Sequence, residues 1–530
     1  MLHELDFSKL TLEQKLGLLL IGGGPSTMTD DPENFQDCLE LIRRHALGAM
    51  WVKPAVGSRY KEQIAAIREA ADYPILIFTD AENGMPPYLI GCHGAIGYTD
   101  SEEMAYAFGR VTGLRAREDG YNIVCNPLLD MTTKNVPCGG TVRSLGGDKY
   151  KTTRLAAAIA RGMHDVGILT VGKHYLNVPI DVDTHMAEGA SNFTKEELND
   201  YYLYPYFQLI KQGLLDGIMT DHSKLMVIDD QYPTSLSKKS TDILRHQGYD
   251  GLYVTDALSM MGVVAKFGVD GSRSLSVAGG NDLALVWTPI KPSFESLKKG
   301  FESGIITEQR LDEAVNRVLA AQHKAMEMSK TMPAPLCQTD IDNIAAINRK
   351  CIAAITDDIC LPSLDLAHRH LFILLTEGDV DLDKAHAFGE DTFSDEWYRP
   401  MELAEHIKMR FPNAEIYAIN QFPTASQNYQ ALQRSISYDD VVFITFCKSE
   451  AYIGRETYTT RFLSLIEAMQ VTERVSAVVH FGNPFLLEEL PHVPRILNGS
   501  QAFDCTLNAI DILAGLYSAD GKIPYDIKLK

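Results

Sequence analysis

Between residues 73 and 256, short apolar runs repeatedly end in ionisable residues: YPILIFTD (73–80), YNIVCNPLLD (121–130), GILTVGKH (167–174), DGIMTDH (216–222) and DGLYVTD (250–256). A continuous apolar run of this length suits a strand buried on both faces, the situation of a parallel sheet. Helical patterns lie between them, among them SEEMAYAFGRVTGLRARE (101–118) and YKTTRLAAAIARGMHDVG (150–167). Parallel neighbours need long crossovers, which these helices supply. Strand–helix alternation over about 300 residues predicts the α/β class and a (β/α)8 TIM-type barrel, with a doubly wound sheet as the alternative.

The helical pattern at 307–328 runs into SKTMPAPLCQTD, where two prolines and the loss of periodicity mark a linker at 329–340. The barrel is therefore expected over 1–328. Alternation restarts in 341–530 with HLFILLT (370–376), AEIYAIN (414–420), DDVVFITF (439–446) and RVSAVVHFG (474–482), and TRFLSLIEAMQ (460–470) reads as a helix between two of them. A smaller α/β sandwich domain with a mainly parallel sheet is expected there.

The balance of 49 Lys+Arg against 70 Asp+Glu gives a net charge of −21. Such a chain repels phosphate backbones and anionic lipid, so neither nucleic acid nor membrane is expected as a partner. No apolar run approaches the roughly 18 residues of a membrane span. The first residues carry acids from Glu4 onward and do not read as a signal peptide. The nine cysteines, Cys38, Cys92, Cys125, Cys138, Cys337, Cys351, Cys360, Cys447 and Cys505, are odd in number and contain no C-x-x-C pair. That argues against a disulfide framework and a structural zinc site, and the expected compartment is the cytoplasm.

A barrel opens only at the carboxyl ends of its strands, so polar strand ends are where chemistry is expected. Here they supply Asp80, Asp130, Lys173, His174, His222 and Asp256. Any one of them could simply cap the next helix, but a rim rich in such groups suits a neutral polyhydroxylated ligand. The glycines at 22–24 lack the Lys and Ser/Thr of a phosphate loop, no G-x-G-x-x-G follows a strand, and there is no G-x-S-x-G elbow. In KHYLNVPIDVDTH (173–185), His174, Asp181, Asp183 and His185 could ligate a metal, but the segment has no H-x-x-x-H spacing and Pro179 interrupts any helix. The alternative is a dyad, in which Asp183 orients His185 as a general acid/base opposite a carboxylate nucleophile at Asp256.

Read in order, the motifs resemble glycoside hydrolase family 3, and within it the β-N-acetylglucosaminidase branch. TLEQKLGLLLIGG (11–23), FTDAENG (78–84), NPLLDM (126–131), VRSLGGD (142–148), GKH (172–174), MTDH (219–222), GLYVTDALSM (251–260) and AGGNDLAL (278–285) carry the likeness in the barrel. CIAAITDDICLPSLD (351–365), FGNPFLL (481–487) and GKIPYDIK (521–528) carry it in the second domain. The resemblance implies Asp256 as catalytic nucleophile and His185, oriented by Asp183, as acid/base. It implies Asp80, Arg143, Lys173 and His174 as sugar ligands, with His222 and Met260 beside them. The expected activity is retaining, exo-acting hydrolysis of terminal β-linked N-acetylhexosamine. No metal or organic cofactor is required, the partner is a small carbohydrate substrate, and a homodimer is allowed.

Two departures shape the expectations. The loop before His185 lacks the Pro-Gly-His-Gly core of the branch, so it is expected to sit away from the site until substrate binds. Glu-Gly-Gly after Asp80 is replaced by Glu82-Asn83-Gly84. The alternatives are a β-glucosidase or β-xylosidase using Glu456 as the acid (Glu456 otherwise being a plain exposed residue), phosphorolysis in place of hydrolysis, and a decayed sugar-binding protein.

Overall fold

The computed structural model describes residues 2–23, 31–54, 59–137, 140–176, 178–356, 362–376, 398–447, 451–452 and 454–530. Cys138, Asn177 and Cys360 lie outside the described residues, as do Gly24 and 357–361 of the quoted motifs. The chain forms two compact units. One comprises Met1–Leu89, Glu102–Met131 and Lys149–Asn343, the other Ile90–Ser101, Thr132–Asp148 and Ile344–Lys530.

The first unit is a barrel of β1 (Leu20–Gly23), β2 (Ala49–Trp51), β3 (Leu76–Thr79), β4 (Ile123–Val124), β5 (Leu169–Tyr175), β6 (Gly217–Thr220), β7 (Leu252–Thr255) and β8 (Ala284–Leu285). The strands pair in chain order, all parallel, and β8 returns to pair with β1. A parallel bridge between Val254 and Leu283 links β7 to β8 and completes the circle. Ile21, Trp51, Phe78, Val171, Met219 and Val254 belong to one buried cluster, a filled core rather than a pore. β3, β6 and β7 each stop directly before an aspartate, Asp80, Asp221 and Asp256, and Asp130 lies just beyond the Leu128–Lys173 bridge.

The boundary expected along the chain, 1–328 and 341–530 about a linker, differs from these units. Arg117 donates to the carbonyls of Ser329 and Thr331, both at 2.7 Å, and Arg110 pairs with Asp340, so 329–340 is strapped to the barrel unit. Two inserts from the first third of the chain belong to the other unit. They are held there by bonds such as Lys522 N to Tyr98 O at 3.0 Å and Gly147 N to Pro524 O at 3.0 Å.

The second unit carries β9 (Ile352–Thr356), β10 (His370–Thr376), β11 (Glu415–Asn420), β12 (Asp440–Phe446), β13 (Val475–Phe481) and β14 (Arg495–Gly499). Their order is β9-β14-β13-β12-β10-β11, parallel except for β9, which runs antiparallel to β14 at the edge. Every residue of β10 and β12 is buried, the pattern of central strands covered on both faces. Among the described residues, no helix is long and apolar enough to cross a membrane.

Candidate active site

The strand ends of the barrel place three titratable groups in direct contact. Lys173, at 2% exposure one of the largest buried side chains, pairs with Asp80 and with Glu82. A buried ammonium is tolerable only when paired, and two carboxylates compensate this one. Ala81, between them, has φ 44°, a left-handed conformation uncommon outside glycine, and it lies where both flanking acids reach the same lysine. Glu82 is thus part of the rim despite the altered Asn83-Gly84 that follows it.

His174 is gripped by Asp130. One carboxylate oxygen accepts the backbone amide at 2.7 Å and the other meets Nδ1 at 2.7 Å. With Nδ1 so engaged, Nε2 faces Asp256 Oδ2 at 3.9 Å. Asp130 was visible in the sequence as a polar strand end but carried no assigned role; its sequence signal is the NPLLDM run.

Asp256 follows β7. Its amide donates to Thr220 O at 2.9 Å, and its Oδ1 accepts the Ala257 amide at 2.7 Å. Burial pushes its pKa up, but His174, His222 and His185 together with the Ala257 amide outweigh that, and the net pKa lies below the ordinary aspartate value. The same surroundings push the Cys125 thiol far up, through burial first and then the charges of Asp80 and Asp256. Cys125 is therefore a neutral thiol and not a nucleophile.

His185 is oriented by Asp183, whose Oδ1 receives both the His185 amide and Nδ1 at 2.9 Å. The Asp183 side chain is 1% exposed and that of His185 21%, so the carboxylate is sequestered while the imidazole keeps access to solvent. The loop was expected to sit away from the site, and the structure corrects this. Helix Met261–Ala278, which follows Asp256, has no side-chain cap at Met260. Its first amides are satisfied instead by the loop: Met261 N donates to His185 O at 3.2 Å and Gly262 N to Thr184 O at 2.9 Å. A Cβ on Gly262 would stand 2.6 Å from Thr184 O, so glycine is what lets the loop dock. Gly262→Ala is accordingly expected to lower kcat by about 10- to 100-fold through a misplaced His185. Its melting temperature should stay near that of the parent; steady-state kinetics beside a thermal melt checks both.

Two expected sugar ligands, His222 and Met260, are engaged elsewhere. His222 is fully buried with both ring nitrogens occupied, Nδ1 by Ser235 Oγ at 2.7 Å and Nε2 by Ala257 O at 3.0 Å. It holds the residue beside Asp256 and has no ring nitrogen left for a sugar. Met260, 2% exposed, packs into the barrel core with Leu252 and Val254. Arg143 ends the short helix Gly140–Arg143 on an insert of the second unit, where its carbonyl meets His93 Nδ1 at 3.1 Å. Glu456, also in the second unit, is not the exposed acid of the sequence reading: it is 4% exposed, and Asn483 Nδ2 donates to its carboxylate. The four groups read as a metal alternative do not converge, since His174 and His185 turn to different carboxylates.

A parallel barrel whose rim joins an ionised aspartate to an aspartate-oriented histidine is equipped for nucleophilic catalysis with a general acid/base. Residues 11–321 match the model of the glycosyl hydrolase family 3 N terminal domain, and the chain belongs to that family of glycoside hydrolases. A Cellulomonas fimi protein named β-N-acetylglucosaminidase/β-glucosidase is 24% identical over 326 residues. The match covers 58% of this chain and 57% of that relative's length. Among solved structures, a family 3 β-N-acetylglucosaminidase from Paenibacillus sp. str. FPU-7 superposes with a TM-score of 0.80 at 24% identity, over 98% of this chain and 100% of that one. The β-glucoside phosphorylase BglX gives 0.79 at 22%, over 98% and 94%. These two likenesses are likenesses of fold.

Proposed function

We propose that the protein is a retaining, exo-acting β-N-acetylglucosaminidase that removes terminal β-linked N-acetylhexosamine from small glycosides or cell-wall fragments. The observation that carries this reading is the pairing of Asp256, kept ionised by surrounding histidines, with an Asp183-oriented His185 on a docked loop. Asp256 attacks the anomeric carbon and forms a glycosyl ester, while His185, Nδ1 held by Asp183, gives its Nε2 proton to the departing oxygen. His185 then takes a proton from the water that attacks the ester and frees the sugar. Asp80 and Lys173 grip sugar hydroxyls, and His174, fixed by Asp130, keeps a polar group beside the nucleophile. The described cysteines form no disulfide, and the cytoplasm is the compartment proposed here.

A second reading, phosphorolysis, is favoured by the acid itself. A histidine acid/base leaves less negative charge in the path of an incoming phosphate than a glutamate would. One assay separates these readings. Purified protein is given matched aryl β-glycosides of 2-acetamido and 2-hydroxy sugars, with and without phosphate. Preference for the 2-acetamido sugar with free sugar as product supports the proposal; sugar 1-phosphate supports the second reading; preference for the 2-hydroxy sugar overturns the sugar assignment.

A further inference from the structure

Away from the site, at the amino ends of the barrel strands, three metal-binding side chains meet. His45 lies just before β2 and Asp72 just before β3, and because these strands are parallel neighbours their entry turns lie side by side. His3 joins them through its amide, which donates to Asp72 O at 2.9 Å. His45 Nε2 is 2.7 Å from Asp72 Oδ1 and His3 Nδ1 is 3.9 Å from Oδ2. One ligand atom from each of the three lies within 4.8 Å of the others.

The backbone at His45 points to the same place. Helix Pro32–Arg43 ends in the paired bonds His45 N to Ile42 O (2.9 Å) and Ala46 N to Leu41 O (2.9 Å), with His45 at φ 56°. This termination strongly favours glycine, or asparagine, at the left-handed position. A histidine there breaks the local rule, and its ring is directed onto Asp72, with Tyr73 edge-on at 5.4 Å. Local rules are broken where a side chain is needed for something else.

We propose that His3, His45 and Asp72 bind a divalent transition-metal ion of borderline softness, with zinc(II) as the natural occupant. Two imidazole nitrogens and a carboxylate oxygen suit zinc, nickel or copper; calcium and magnesium favour all-oxygen shells. The partly exposed side chains leave an open side for water to complete the coordination. The ion fastens the 2–5 segment to the turns before β2 and β3, far along the strands from Asp256.

The test is calorimetric titration of chelator-stripped, tag-free full-length protein with zinc chloride. The parent is expected to bind one zinc per chain with a Kd on the order of micromolar. His3→Gln should weaken binding about tenfold or more. His45→Gly suits the left-handed backbone, so without metal it should melt no lower than the parent, yet it should lose zinc binding. Zinc should raise the melting temperature of the parent and not of His45→Gly. No saturable binding by the parent, or zinc affinity unchanged in His45→Gly, overturns the proposal.

Discussion

Asp256→Asn is expected to lower kcat by about 10⁴-fold or more, because a nucleophile is lost while shape is kept. Folding should be spared, since the Ala257 amide that Oδ1 accepts can be accepted equally by the amide oxygen. The charge state gives the sign of the pH dependence. Burial alone would raise the Asp256 pKa, and the three nearby histidines bring it below the ordinary value. The carboxylate therefore stays ionised down through the range where free aspartate protonates, about pH 3.9. The limb of kcat/KM owed to Asp256 should lie below that pH, and His174→Gln, which removes the histidine that lowers it most, should move it upward. Residual activity in Asp256→Asn above roughly a tenth of the parent would place the nucleophile elsewhere.

His185→Ala should produce the second largest loss, and its size should depend on the leaving group. Protonation by a positioned acid is worth about 10²- to 10⁴-fold where the departing alkoxide is poor. Activated aryl glycosides, which leave as stable anions, should lose far less. Asp183→Asn should follow the same pattern more weakly, because His185 keeps its position on the docked loop but loses the carboxylate at Nδ1. Equal losses across good and poor leaving groups would remove His185 from the acid role.

Much of this was legible because parallel barrels write themselves as apolar runs with polar ends. β3, β6 and β7 stand inside the runs YPILIFTD, DGIMTDH and DGLYVTD, and β5 overruns GILTVGKH by one residue, to Tyr175; Asp80, His174 and Asp256, closing three of these runs, stand at the site. β2, only three residues of AMW with no ionisable end, gave no such pattern. The assignment of 90–101 and 132–148 to the second unit was invisible, because boundaries read along a chain cannot show an excursion that returns. The His174–Asp130 grip was hidden for a similar reason: both residues were in view, but their pairing is fixed by adjacent strand ends and not by spacing. The loop before His185 was misjudged because its familiar glycines are missing. What docks it is the unsatisfied amide end of a helix that begins well downstream, and Gly262 makes room. His222 read as a ligand by its strand-end position, and only the structure shows both its nitrogens consumed.

The central claim is that the sugar passes through a covalent ester on Asp256. A fluorinated N-acetylglucosaminyl fluoride, whose good leaving group lets the ester form and whose second fluorine slows its breakdown, tests this directly when the reacted protein is weighed intact and mapped by peptide. The predicted result is a mass gain of one sugar residue confined to the peptide containing Asp256, absent from Asp256→Asn. No adduct under conditions that inactivate the enzyme, or a sugar carried by Glu456 or any other residue, would contradict the account.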